Sequence, residues 1–328
     1  MIFLKIIHFL SAAIVQGIPL LYGATGEILT EKSGNLNLGI PGIMYVGGIS
    51  GIIGGYLYEK AAPEPNVLLL ILIPLLASLL GSLFMALIYS VLTITLRANQ
   101  NVTGLALTTF GVGLGNFFGG SLLAMFGESG SIALKATGAA YRTKLPFASS
   151  LGWFGELFFS YGFLAYLAVI IAIVAGIILN KTRVGLNLKA VGESPATADA
   201  AGINVVKYKY LATCIGGMIA GLGGLYWVMD YTDGAWTNNG FGDRGWLAIA
   251  IVIFAIWKPK LAIPSSFLFG GLYILSVFIQ VPTSWAREII NMLPYLVTIV
   301  VLCAVSARKK RENLPPASLG LSYFREER

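Results

Sequence analysis

The chain has 328 residues, of which 56% are hydrophobic and 11% are charged, and its mean hydropathy is +0.79. Soluble domains contain about 45–50% apolar and about 25% charged residues, so this composition excludes a water-soluble globule and predicts a polytopic membrane protein. The net charge of +7 does not indicate nucleic-acid binding. The basic residues lie in short segments beside apolar runs, where the positive-inside rule accounts for them.

Nine apolar stretches are candidate membrane spans. A span needs about 20 apolar residues, because each helical residue rises about 1.5 Å and the hydrocarbon layer is about 30 Å thick. The stretches lie near residues 6–24, 38–58, 67–92, 102–126, 161–179, 210–229, 245–257, 263–281 and 288–306, and the seventh is short. No clear cleavage site follows the first stretch, so we interpret it as a retained span. We predict an all-α transmembrane bundle of about 8–10 spans, forming a single domain over residues 1–328.

The basic loops predict the orientation of the chain. Segments 180–209 and 258–260 and the tail 307–328 are basic and are predicted to be cytoplasmic, whereas segments 230–244 and 281–287 are not and are predicted to be outside. Working backwards places 127–160 outside, Arg97 inside, 59–66 outside and 26–37 inside. This order leaves the N-terminus outside. Lys5 favours a cytoplasmic N-terminus, so we expect an additional crossing or a re-entrant segment near residues 26–55.

Residues 26–55 also predict a broken helix. Glycines at positions 34, 39 and 42, together with Pro41, disfavour a continuous helix, and broken backbone at membrane depth is tolerated only against protein or a water-filled cavity. Asn35 and Asn37 lie beside this break and are candidates for a solute path. The later glycines at positions 47, 51 and 55 repeat every four residues, which predicts close helix packing.

The start of the fourth span is rich in amides and hydroxyls. These residues are Asn99, Gln100, Asn101, Thr103, Thr108, Thr109 and Asn116. Such groups are costly in lipid, so we expect them to face the bundle interior. There they would suit a neutral, hydroxylated or heterocyclic solute, or form interhelical hydrogen bonds worth about 0.6–2 kcal/mol each, and the sequence leaves both open. Asn99, Asn101, Thr103 and Thr108 join Asn35 and Asn37 as candidate path residues.

A short helix is predicted within the polar segment 180–209. Ser194 is a favourable N-cap, Pro195 a favourable first residue, and Gly202 is suited to ending the helix after about two turns. A helix this short is unstable alone, so it must lie against something. Its alanines, at positions 196, 198, 200 and 201, have small side chains, so the helix presents a narrow surface that could enter a groove on a partner. An ordinary polar loop is the alternative.

Several chemical motifs are missing from the sequence. No candidate span has a charged residue near its centre, and the single histidine is His8, so a proton-coupled carrier is disfavoured and a sodium-coupled one weakened. Neither a G-x-x-x-x-G-K-[ST] phosphate loop nor a catalytic or metal-binding constellation occurs. We therefore expect no enzyme activity and no metal or cofactor in this chain. Cys214 and Cys303 lie in apolar runs and are predicted to be buried free thiols.

Four stretches carry a family resemblance. AVGESPATADAAGINVVKYKYLATCIGGMIAGLGGLYW, residues 190–227, resembles the cytoplasmic coupling loop and following helix of ABC importer permeases for nucleosides, simple sugars and branched-chain amino acids. EKSGNLNLGIPGIM, residues 31–44, and the R-A-x-Q-x-V-x-G pattern from Arg97 resemble the nucleoside-type members. LPYLVTIVVL, residues 293–302, is similar to the last helix of the family. The resemblance extends over about residues 20–306.

This resemblance implies a permease subunit of an ATP-driven importer, most similar to the nucleoside type, in a bacterial-type cell (inner) membrane with a cytoplasmic C-terminus. The implied partners are an ABC ATPase subunit that holds ATP and Mg²⁺, a second identical or homologous permease, an extracytoplasmic solute-binding protein and membrane lipid. The implied ATPase-coupling residues are Gly192, Glu193, Ser194, Pro195, Ala198, Asp199 and Gly202. The alternatives are a simple-sugar or branched-chain amino acid permease, and a stand-alone ion-coupled secondary carrier.

Overall fold

A computed structural model of the chain describes residues 2–127, 131–279, 283–308 and 314–325. Within these ranges the fold is helical, and eight helical segments are long and apolar enough to cross a membrane. The α-helices are α1 (Ile2–Glu31), α2 (Ile40–Ala61), α3 (Val67–Ser90), α4 (Gln100–Met125), α5 (Lys135–Tyr141), α6 (Gly152–Phe159), α7 (Phe163–Lys181), α8 (Arg183–Glu193), α9 (Pro195–Ala200), α10 (Val205–Tyr226), α11 (Arg244–Phe254), α12 (Pro259–Phe278), α13 (Ser284–Asn291) and α14 (Leu293–Arg308). Helices α3 and α10 each end in a five-residue π turn.

The nine predicted spans are confirmed as helical segments. The seventh corresponds to α11, which has only 11 residues, as its short apolar stretch indicated. The ninth consists of α13 and α14, which meet at Met292. Pro294 follows directly, and proline cannot donate a backbone hydrogen bond inside a helix, so the interruption has a local cause. The two cysteines are free, but Cys303 is exposed on α14, and its predicted burial is wrong.

The loops fall into two groups at opposite ends of the bundle. One group, the α9 face, contains residues 32–39, 96–99, 182–204, 255–258 and 314–325. Its members touch one another: Gly320 N donates to Gly34 O at 3.2 Å, and Ser318 N donates to Gly192 O at 3.0 Å. At the opposite face Leu134 N donates to Gly234 O at 3.0 Å, and Thr137 donates to Glu59. This division matches the inside and outside segments predicted from charge. Parts of the predicted segments lie outside the described residues, namely 128–130, 281–282, 309–313 and 326–328.

Helix α1 crosses the bundle once and without a break. Near its start, Phe3 packs edge-on against Trp153 and His8 lies 3.2 Å from Glu156, both on α6 at the opposite face. Its end enters the loop 32–39 on the α9 face, which leads directly into α2. The predicted helix break is therefore present, but the additional crossing or re-entrant segment is wrong. Helix α1 has 30 residues and is followed directly by the loop 32–39 and α2, so no further crossing lies between them.

Helix α10 lies at the centre and packs against α1, α2 and α3 through bare backbone. A Cβ atom added at Gly47 of α2 would overlap the backbone of Gly221, and one at Gly216 would overlap the carbonyl oxygen of Gly26. Gly42 and Gly111 form an equivalent contact between α2 and α4. Small residues let helix backbones approach closely where lipid supplies no hydrophobic driving force between helices. The close packing predicted from the glycine spacing is confirmed.

The close contact between α2 and α10 predicts a difference between two glycine substitutions. Gly224→Ala would place a methyl group against the Met44 carbonyl oxygen, which is backbone and cannot rotate away. We expect this variant to lose about 1–3 kcal/mol of stability, the usual cost of overpacking a filled core. The measurement is thermal unfolding of the purified protein in detergent.

Gly113→Ala is the matched control, because a Cβ atom at Gly113 meets no described atom within 4 Å. Alanine is also the better helix former by about 1 kcal/mol, so this variant should unfold at or above the wild-type temperature. Equal destabilisation of both variants would show that the α2–α10 contact is not limiting.

Candidate coupling surface and solute path

The short helix α9 forms where the sequence predicts it. Ser194 caps it by accepting a hydrogen bond from Thr197 N at 3.4 Å, and Pro195 is its first residue. Gly202 follows its last turn with a φ of +82°, in the left-handed region that favours glycine. The predicted start and end of the helix are both confirmed.

A small separate core holds α9 against the bundle. Ala198 is buried against Val191 of α8 and Val205 of α10, with Ile203 and Tyr323 packed around them. This is the support that a helix of six residues requires. Ala198 therefore does not belong to the narrow surface predicted to contact a partner, because it faces inward. The remaining alanines, at positions 196, 200 and 201, are exposed and could contact a partner.

Helix α8 was not foreseen within the polar segment. Thr182 caps it by accepting from Gly185 N at 3.1 Å. At its other end Gly192 lies so close to the loop 32–39 that an added Cβ atom would overlap the Lys32 carbonyl oxygen. The Gly192 carbonyl oxygen accepts two hydrogen bonds from Ser318, at 3.0 Å from N and 2.6 Å from Oγ. Gly192 is thus buried between the loop 32–39 and Ser318, whereas Glu193 beside it is exposed.

The end of the chain, residues 314–325, lies across the α9 face, and we call it the C-terminal strap. Tyr323 donates from its hydroxyl to Asp199 Oδ2 at 2.9 Å, and Arg325 Nε lies 3.2 Å from the same oxygen. Phe324 packs under the Arg97 guanidinium at 4.7 Å. The Asp199 carboxylate is therefore engaged within the chain and holds the strap on α9.

The strap also reaches the loop 32–39. Gly320 N donates to Gly34 O, and Gln100 Nε2 donates to Leu321 O at 3.4 Å. The same Gln100 side chain accepts a hydrogen bond from Leu36 N at 2.7 Å through Oε1. The strap, the loop and the start of α4 are thereby joined by hydrogen bonds. One connected set of contacts runs from α9 to the segment predicted to line the solute path.

Four of the six candidate path residues are buried, two of them on this loop and two on α4. Asn35 is buried and donates to Thr213 Oγ1 of α10 at 3.1 Å, while Asn37 is buried and accepts from Gly39 N at 2.9 Å. Thr108 of α4 donates to Leu38 O at 2.8 Å, and Thr103 is buried on the same helix. Thr108 thus connects the loop to α4, and Asn35 connects it to α10.

The other two candidate path residues lie elsewhere. Asn99 is the N-cap of α4, where it accepts from Val102 N at 3.1 Å, and both Asn99 and Asn101 are exposed. The expectation that the whole polar run faces the bundle interior is wrong for these two residues and for Thr109, which is also exposed. A helix turns about 100° per residue, so consecutive polar residues cannot share one face. Their exposed side chains are free to face lipid, solvent or another subunit.

Two buried carboxylates were missed by the sequence analysis. Glu27 and Glu31 lie in the last turns of α1, with only 0% and 2% of their surface exposed. Glu27 Oε1 accepts from Asn37 N at 2.9 Å, and Glu31 Oε2 accepts from Trp257 Nε1. Among the described residues, Glu27 Oε2 and Asn37 Nδ2 have no hydrogen-bond partner. The predicted first span ends at residue 24 and so excludes both carboxyl groups, whose i, i+4 spacing is the available signal in the sequence.

Arg244 is a second missed charge, at the opposite face. Its guanidinium lies 3.6 Å from the centre of the Trp227 ring and 4.6 Å from that of Tyr273. It donates to Phe241 O at 2.8 Å and to Gln16 Oε1 at 3.3 Å. Glu27, Glu31 and Arg244 lie near the ends of their helices, which agrees with the prediction that no span has a charged residue near its centre. The bundle buries charge near its ends, where hydrogen bonds and aromatic rings compensate the loss of water.

Together these features define a multi-pass helical membrane protein with a small helix exposed at one end and a buried polar segment connected to it. The family model of the permease component of branched-chain amino acid transport systems matches residues 9–302. The chain belongs to this permease family. The resemblance stated from the sequence is thereby confirmed.

The chain is similar to three characterised or assigned permeases over nearly its whole length. It is 30% identical over 326 residues to the nucleoside ABC transporter permease protein NupC of Lactococcus lactis, with 96% of each chain covered. It is 31% identical over 346 residues to the putative glucose ABC transporter permease protein TsgC13 of Haloferax volcanii, with 97% of each covered. The guanosine ABC transporter permease protein NupQ of Bacillus subtilis is 29% identical, over 97% of this chain and 96% of its own.

The strap contacts predict that Asp199→Ala loosens the end of the chain. The variant removes the acceptor shared by Tyr323 and Arg325. Because a hydrogen bond to a charged group contributes about 1.5–3 kcal/mol when protected and less when exposed, we expect amide exchange in residues 314–325 to accelerate roughly fivefold or more. Hydrogen–deuterium exchange by mass spectrometry measures this. Arg142→Ala, which breaks the 2.9 Å pair with Asp233 at the opposite face, should leave the strap unchanged.

The Glu27 contact predicts a difference between two substitutions. Glu27→Leu leaves the buried Asn37 N–H without an acceptor, which should cost about 1–3 kcal/mol and lower the thermal unfolding temperature. Glu27→Gln retains an acceptor oxygen at nearly the same place and should lose clearly less. If both variants unfold at one temperature, the bond to Asn37 does not hold the loop 32–39.

Proposed function

We propose that the chain is a pore-forming subunit of an ATP-driven importer of nucleosides, and that α9 receives the movement of a separate ABC ATPase. The observation that carries the proposal is the hydrogen-bonded connection from α9, through the strap, to the buried neutral side chains of the loop 32–39 and α4. The relatives NupC and NupQ, which are named for nucleoside and guanosine transport, support the solute class.

The ATPase would contact the exposed part of α9. Glu193, Ala196 and Ala200 present a small, uncrowded surface, while Ala198 and Asp199 hold the helix to its support. Closure of an ATPase pair on bound ATP would push α9 and its core against α8 and the strap. Since Gly192 and Gly34 are bonded to the strap, the loop 32–39 moves with them. A rigid bundle joined through glycine contacts would then switch between outward and inward access.

The proposed path takes an uncharged solute. Asn35, Asn37, Thr103 and Thr108 offer amide and hydroxyl groups that can donate and accept hydrogen bonds, as a nucleobase and a ribose require. A hexose presents a similar set of hydroxyls, and the similarity to TsgC13, named for glucose, makes a simple sugar the second candidate. Competition between the two solutes separates the candidates.

The remaining parts of the proposed assembly follow from charge and exposure. The α9 face carries the basic segments and would lie in the cytoplasm together with the C-terminal strap. The opposite face would meet an extracytoplasmic solute-binding protein, and its exposed aromatic residues Trp153 and Phe154 suit either that contact or the membrane boundary. A second permease subunit, identical or homologous, would complete the pore. ATP and Mg²⁺ would be held by the ATPase.

Reconstituted uptake tests the proposal. Vesicles holding this chain with its ATPase, partner permease and solute-binding protein should accumulate radiolabelled guanosine only when ATP is supplied. Unlabelled guanosine should compete, and glucose should not. Ala200→Arg should reduce both ATPase co-purification and uptake by at least tenfold, because a long charged side chain would occupy the contact surface.

Ala139→Arg provides the matched control, since Ala139 is also an exposed helical alanine but lies at the opposite face. It should leave ATPase binding unchanged. Uptake by this chain without any ATPase, driven by an ion gradient alone, would instead establish the stand-alone carrier. Competition by glucose and not by guanosine would establish the sugar permease.

A further inference from the structure

A cavity of about 390 Å³ opens on the α9 face, and its lining includes no residue of α9 and none of the candidate path residues. It lies between the end of α1, the end of α7, helix α8 and the start of α12. We call it the lysine cavity, and its charged and polar lining residues are Lys32, Asn180, Lys189 and Lys258. Its volume falls in the usual range for sites that bind small ligands, about 300–1,000 Å³.

Three ammonium groups surround this cavity without a bound carboxylate. Lys189 Nζ donates to Asn180 Oδ1 at 2.7 Å, which is a neutral acceptor. In the described part of the chain, none of the three lysines forms an ion pair. The nearby Glu31 carboxylate accepts instead from Trp257. The cavity therefore has an excess of positive charge that an anion would balance.

Lys32 is partly buried, and its pKa is lowered. Burial lowers the pKa of Lys32, and the ammonium of Lys189 adds to this effect, with a smaller contribution from Lys258. Glu193 and Glu31 act in the opposite direction but do not cancel the shift. Like charges held near a partly buried lysine disfavour its charged form. An oxyanion in the cavity would reverse this balance and favour three charged lysines.

The remaining lining is apolar and lies at the ends of two membrane spans. Leu179, Ile256, Trp257 and Pro259 form the cavity wall. Outside it, Ile177 of α7 and Leu261 of α12 are exposed apolar residues. A free inorganic ion would gain no favourable contact from these apolar residues. A ligand with a phosphate group and an attached apolar part would satisfy both the lysines and the surrounding surface.

We propose that the lysine cavity binds the phosphate group of an anionic phospholipid from the surrounding leaflet. Lysine is a compact charge suited to phosphate, and basic pockets between spans on the cytoplasmic side bind anionic headgroups. The lipid would connect the start of α12 with α8 and the end of α1. This site does not depend on which solute the chain carries, nor on the ATPase, so it stands or falls separately from the proposed transport activity.

Native mass spectrometry of the full-length protein tests the proposal. The purified chain is titrated with phosphatidylglycerol or with zwitterionic phosphatidylcholine. We expect preferential retention of phosphatidylglycerol, and its loss in the triple variant Lys32→Gln, Lys189→Gln, Lys258→Gln. Each lysine near an anionic headgroup is worth roughly a fivefold change in affinity, so the triple variant should bind at least tenfold more weakly.

A triple variant of exposed lysines outside the cavity, Lys5→Gln, Lys144→Gln and Lys207→Gln, removes the same net charge and should bind as the wild type does. Thermal unfolding gives a second measurement: phosphatidylglycerol should raise the unfolding temperature of the wild type and not that of the cavity variant. Undiminished binding by the cavity variant would overturn the proposal. So would displacement of the lipid by millimolar inorganic phosphate, which would identify a free anion as the ligand.

Discussion

The fold depends on backbone contact between helices at glycine positions. Helix α10 meets α1 at Gly216 and Gly26, and α2 at Gly221 and Gly47, so closely that no side chain fits between them. In a membrane, packing of this kind replaces the hydrophobic effect as the source of helix association. It also makes the centre of the bundle stiff. Under the proposed function, a stiff bundle would transmit displacement from the loops of the α9 face to the opposite end.

The α9 face converts several weak elements into one connected structure. Helix α9 has six residues and could not persist alone, and the strap has no regular secondary structure. Each is held by the other through Asp199, and both are held to the loop 32–39 through Gly192 and Gly34. A partner bound to α9 would therefore be connected through these contacts to the buried amides of the loop 32–39.

Two buried glutamates add contacts that hold this region in place. Glu27 and Glu31 fix the loop 32–39 and the turn before α12 from within, through bonds to Asn37 and Trp257. Beyond that turn, Lys32 and Lys258 face the lysine cavity. Glu31 accepts from Trp257, and within the described residues no ion pair joins it to Lys32 or Lys258, so those lysines remain available to an external anion. The loop 32–39 thus contributes residues both to the proposed solute path and to the proposed lipid site.

The sequence by itself determined the membrane class, the nine helical segments, the sorting of loops by charge, and the cap, first residue and end of α9. These features follow from local composition and from backbone preferences that act over a few residues. Tertiary structure alone decided which polar residues meet. Thr103 and Thr108 are buried while Asn99 and Asn101 are exposed, because helix rotation is set by packing against α2. It also decided that Glu27 lies inside the protein and that the strap folds back onto Asp199, since partners ten or more residues apart leave no local signal of their pairing.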